Sequence, residues 1–155
     1  MIGIDTNDLA AATAHATVAL KIYERLNDPW GELEARLLLA QVALAQDDPR
    51  ADDLVARCCA ITLDEAEPRQ HRHLTVAWLC QRQGRWADAA KEIDDARAAF
   101  GDRARCGDHT PQLLARFSKM PWTGPSLSKI DAWLQLIASA NPDEAVSSQW
   151  PLSKR

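Results

Sequence analysis

Apolar side chains recur every three to four positions along most of this chain, and no stretch alternates apolar and polar long enough to argue for a strand. Breaks containing proline, glycine or paired acids divide the pattern into seven segments with helix start or stop chemistry. The first is predicted from Thr6 to Leu26, with Asp5 or Thr6 as N-cap. Asp28 caps a second from Pro29 to Gln46, with Pro29 in the first position, where its missing N–H costs nothing. A third follows from Arg50 to Leu63, and Glu67-Pro68 opens a fourth that runs to Gly84. The fifth covers Trp86 to Phe100. Thr110 as cap and Pro111 as first residue start a sixth that runs to Met120. Ser126 caps a seventh that ends near Asn141-Pro142.

Short links make such helices antiparallel neighbours, so the expected fold is all-α, built of stacked helix hairpins. Residues 1–142 read as one domain, with 108–142 as C-terminal capping helices and 143–155 as a flexible tail.

Composition agrees: the chain is 46% hydrophobic and 26% charged, an ordinary balance for a folded protein, and its apolar share leans on Ala and Leu. A net charge of −4 argues against a nucleic-acid partner, because phosphate binding usually needs a basic excess. The N-terminus lacks a secretory signal, and no run is long and apolar enough for a membrane span. Cys58, Cys59, Cys80 and Cys106 read as small buried hydrophobes of a cytoplasmic protein.

His73 to Phe100 resembles a tetratricopeptide repeat. Ala77 stands at the small position of the first helix, Gly84 at the turn and Trp86 just after it. Ala89 and Ala96 are the small residues of the second helix, with Ile93 between them. Ala40, Asp47-Asp48-Pro49, Ala51, Val55 and Cys58 imitate that order upstream, without the glycine or the aromatic. Ala12, Ala16 and Ala19 mark the first helix as the second half of a preceding hairpin, so the resemblance covers about residues 9–100. It implies a short α-solenoid, similar to the Ala/Leu/Arg-rich arrays of large bacterial signalling regulators, with an apolar edge suited to self-association.

The resemblance also implies a function, that of a scaffold binding a partner peptide or protein in a concave groove. The groove would be lined by Glu34, Leu37, Gln41 and Leu44 of the second helix and by His71, Leu74, Trp78, Gln81 and Arg82 of the fourth. Trp78 beside Arg82 would anchor the partner. The rival placement packs Trp78 under the C-terminal helices, so that the chain's own tail fills the groove. The alternative function is a ligand-sensing regulatory domain of a bacterial signalling or transcription protein.

Other chemistry is weakly represented. His71, His73, Cys80, Cys106 and His109 are metal-ligand types, but they lack paired knuckles, and no metal or cofactor is expected. Arg69, Arg72, Arg82 and Arg85 read as a solvated basic face. The pairs Asp47/Asp48, Asp52/Asp53 and Asp94/Asp95 read as surface acids, and no catalytic motif is present, so no enzyme is expected.

Overall fold

A computed structural model of the chain describes residues 6–101 and 105–140. These form seven α-helices and no strand: α1 (Thr6–Leu26), α2 (Pro29–Ala45), α3 (Ala51–Cys59), α4 (Ala66–Arg82), α5 (Trp86–Ala98), α6 (Thr110–Phe117) and α7 (Ser126–Ala140). The all-α class and the helix number match the periodicity. None of these helices is long and apolar enough to cross a membrane. The expected tail, 143–155, and Asp5 lie outside the described residues.

Local chemistry sets most boundaries. The Asp28 carboxylate accepts from the Gly31 N–H at 3.1 Å, as the capping pattern predicts. Asn27 (φ 52°) follows α1, Asp47 (φ 59°) stands just beyond α2, and Gly84 (φ 71°) follows α4. Asp and Asn tolerate the left-handed region better than other side chains, so Asp47 serves at the turn after α2, where the chain has no glycine.

Several ends depart from expectation. Helix α3 stops at Cys59, short of Leu63. The β-branched pair Ile61-Thr62 disfavours helix, and the Ile61 carbonyl accepts from Arg72 at 2.9 Å instead. Helix α6 ends at Phe117 because the Lys119 and Met120 N–H groups bond three residues back. Thr110 and Ser126 are not side-chain caps. Each is the first residue of its helix, the Thr110 hydroxyl bonds across to another helix, and the buried Ser126 hydroxyl has no hydrogen-bond partner among the described residues.

Helix α2 packs on α1, α3 and α4, and α4 packs on α5. The C-terminal pair is built onto this stack, α6 against α4 and α7, and α7 against α5. Ala77, Ala89, Ile93 and Ala96 are fully buried, so the small residues permit close approach of α4 and α5. Gly31 does the same for α1 and α2: it lies under the Tyr23 ring, where any Cβ would collide. One apolar cluster joins Leu9 and Leu33 through Leu74 and Ile93 to Phe117, Trp133 and Ile137, so residues 108–140 share the core of the preceding helices.

A single buried amide fixes the approach to α6. Gln70 donates from Nε2 to the Ala96 carbonyl at 2.9 Å, while its Oε1 accepts from the Gly107 N–H at 2.8 Å and from the Thr110 hydroxyl at 2.7 Å. Three elements thus meet on one side chain with no water exposure. Replacing Gln70 by Met leaves the buried Gly107 N–H and Thr110 hydroxyl without that partner, each of which costs about 1–3 kcal/mol, while the Ala96 carbonyl keeps the Ala99 N–H. Gln70→Met is therefore expected to lower unfolding free energy by at least about 2 kcal/mol in urea titration. A loss under about 0.5 kcal/mol would show that the amide is dispensable.

Candidate functional site

On α4, His71, Leu74, Trp78 and Gln81 share one face, as their spacing requires. The chain's own C-terminal segment takes that face. The His109 ring stacks on His71, with centroids 4.8 Å apart and planes inclined by 22°. Trp78 meets Phe117 edge-on at 5.7 Å, and the Arg116 guanidinium lies 4.9 Å above the Trp78 ring. The Gln81 amide donates to the Pro121 carbonyl at 2.8 Å. Trp78 keeps 2% of its exposure, and Leu37, Leu44 and Leu74 are buried in the core.

The expected open groove is corrected accordingly. Leu37, Leu44, Leu74 and Trp78 are packing residues, because the apolar faces of α2 and α4 are covered from within the chain. Arg82 does not pair with Trp78; it reaches the exposed Asp47 carboxylate at 2.8 Å. The basic face is solvated only in part: Arg85 is exposed, while Arg69, Arg72 and Arg82 are half-buried. Arg69 donates to the Asp64 and Ala99 carbonyls, Arg72 to that of Ile61, and Arg85 pairs with Asp88 at 2.8 Å.

Glu34, Gln41 and His71 converge instead. The His71 Nδ1–H faces the Glu34 carboxylate at 3.1 and 3.2 Å. Gln41 Nε2 donates to His71 Nε2 at 2.7 Å and to the Thr75 hydroxyl at 3.0 Å, and that hydroxyl donates to the His71 carbonyl at 2.9 Å. With Nε2 accepting, the ring proton belongs on Nδ1, directed at Glu34. His109 Nε2 approaches the same carboxylate at 3.5 Å. These groups open into a pocket of about 190 Å³, walled by His15, Ala16, Ala19 and Tyr23 of α1 and by Ala35 and Leu38 of α2.

The electrostatics follow from this geometry. Burial pushes the Glu34 carboxyl upward, but the His71 hydrogen bond and the charges of His71 and His109 outweigh it, leaving the pKa below the ordinary 4.5. Desolvation, then the charge of His71, lowers His109 from 6.5. As 57% of that side chain still meets solvent, its contribution to stability is small.

Elsewhere the reactive groups are occupied or quiet. Burial pushes the Cys58 thiol up to about 12 and also raises Cys59 and Cys80, the opposite of an activated nucleophile. Asp48, Asp53, Asp94 and Asp95 pair with Arg50, Arg57, Lys129 and Lys91, and Asp52 accepts from Gln83. His73 meets Glu92 at 2.7 Å.

Comparison with protein-family models, with curated proteins and with solved structures finds no match to this chain. The sequence placed Glu34, Gln41 and His71 on a shared surface and offered His109 only as a metal-ligand type without a paired knuckle; His15 and Tyr23 it did not mark. His109 arrives from a link whose path depends on the Gln70 contacts. The remaining two belong to α1, which carried no groove assignment.

A carboxyl lowered on folding contributes stability above its unfolded pKa and loses it as pH falls through the folded value. A lowered histidine acts in the same direction, since the unfolded chain takes up its proton first. The melting temperature is therefore expected to fall on acidification from about pH 7 to about pH 4, and Glu34→Gln should flatten the lower part of that fall. An identical acid limb in both proteins would remove Glu34 as a stabilising anion.

Proposed function

We propose that this chain is a protein-interaction domain of stacked, tetratricopeptide-like hairpins, and that its contact surface is the outer face of α1 with the start of α2. The supporting observation is an apolar stripe. Val18, Ile22 and Leu26 are spaced four apart and keep 60%, 48% and 67% of their exposure, and Trp30 at the start of α2 keeps 37%. Helix α1 is apolar on two sides. Leu9, Ala12 and Ala16 are buried, while the stripe meets solvent. In a hairpin array an apolar face of this kind is covered by the next helix. The occupant we assign is a helix of a partner protein laid along the stripe in the manner of a helix-in-groove contact.

The inner face of α4 no longer serves this purpose, since α6 and the segment after it occupy it. Raised thiols and paired surface acids favour binding over catalysis. We place the domain in the cytoplasm, where four free thiols are at home. The ligand-sensing alternative draws on the pocket beside Glu34. Its volume of about 190 Å³ is below the roughly 300 Å³ at which drug-sized ligands begin, so it suits an ion or a single small group.

Ile22→Lys combined with Leu26→Lys is expected to weaken capture of the native partner, or self-association in sedimentation, at least tenfold. Helicity and melting temperature should stay near wild type, because both side chains are exposed. Undiminished association of a folded double variant would contradict the assignment.

A further inference from the structure

Three potential metal ligands converge at the pocket from three separate segments: Glu34 from α2, His71 from α4 and His109 from the link before α6. One ligand atom from each lies within 4.8 Å of the others. We infer that Glu34, His71 and His109 bind a divalent transition-metal cation of the zinc class, through one carboxylate oxygen, His71 Nδ1 and His109 Nε2, with a further coordination position open to the pocket.

The spacing of the ligand atoms is close to what such an ion needs. Around a tetrahedral zinc with bonds of about 2.0–2.2 Å, neighbouring ligand atoms stand roughly 3.4 Å apart. Glu34 Oε2 already lies 3.1 Å from His71 Nδ1 and 3.5 Å from His109 Nε2. The remaining pair closes when His109, the most exposed of the three, swings out of its stack on His71, because a metal must lie in the plane of each imidazole it binds. Two imidazoles and one carboxylate select a borderline transition ion over calcium or magnesium, which prefer oxygen throughout. A pocket of about 190 Å³ beside the trio leaves room for the water or ligand atom of an open site.

A second tier of contacts supports the first. Gln41 holds the far nitrogen of His71 at 2.7 Å. Metal on Nδ1 moves the ring proton to Nε2, and turning the Gln41 amide over places its Oε1 there to accept it. Such outer contacts orient a metal-binding histidine and raise its basicity. The other cluster of this type, His73, Glu92 and Asp95, lacks these features. Its Asp95 is held by Lys91 at 2.9 Å, and that cation competes with a metal. The sequence shows His71 and His109 as ligand types but not their grouping with Glu34, because the three lie 37 and 38 residues apart on different elements.

The test is zinc titration of chelator-stripped, full-length protein against a chromophoric competitor, with cobalt absorption as a second readout. One equivalent of zinc is expected to bind and to raise the melting temperature, since the ion joins three segments. Glu34→Gln and His109→Ala should each weaken zinc binding about 100-fold and abolish the cobalt bands. Gln41→Leu should weaken it 10–100-fold, and His73→Ala should leave it unchanged. His109 is exposed, so its alanine variant keeps the fold. Millimolar binding by the wild type, or equal affinity in wild type and His109→Ala, would overturn the site. The α1 stripe lies outside this experiment, so the interaction proposal stands or falls separately.

Discussion

The seat of the C-terminal segment on α4 is the constraint from which the rest of the molecule follows. A polar and an apolar contact make it. Gln70 takes the Gly107 N–H and the Thr110 hydroxyl inside the core, and Trp78 receives Phe117 and Arg116. The amide contacts are directional, so they fix where the chain enters α6. The aromatic contact is larger and less particular, so it holds what the amide has aligned.

Seating α6 there changes what the surface can do. A face that hairpin arrays leave open to ligands is closed over Leu74, Trp78 and Gln81, and only the end near His71 remains reachable. His109 is delivered to that end, where it completes a polar trio with Glu34. The covered face and the pocket therefore have one cause. The apolar stripe that meets solvent lies on α1, at Val18, Ile22 and Leu26.

Sequence periodicity was sufficient for the seven helices, because each break carries its own chemistry: Asp28 as a cap, proline at a helix start, Gly84 and Asp47 at positive φ. The resemblance to a repeat hairpin, not periodicity, implied that Ala77, Ala89 and Ala96 stand where α4 and α5 pack, and all three are buried. The sequence could not choose between two homes for Trp78, since an apolar face reads the same whether a partner or the chain's own tail covers it. Nor could it find the trio at Glu34. That arrangement depends on where the link between α5 and α6 returns, and the return is set by a buried glutamine that looks like any polar helix residue. Thr110 illustrates the point. Its position fits a helix cap, yet its hydroxyl is used across the core.

Native-state hydrogen exchange of the α6 amides tests the central claim most directly. If α6 is integral to the core, Leu114 to Phe117 should exchange with protection comparable to that of Leu74 to Trp78 in α4, both through global unfolding. Exchange of the α6 amides through a separate, low-energy opening, orders of magnitude faster than α4, would mean that the segment lifts off and that the groove beneath it is available after all.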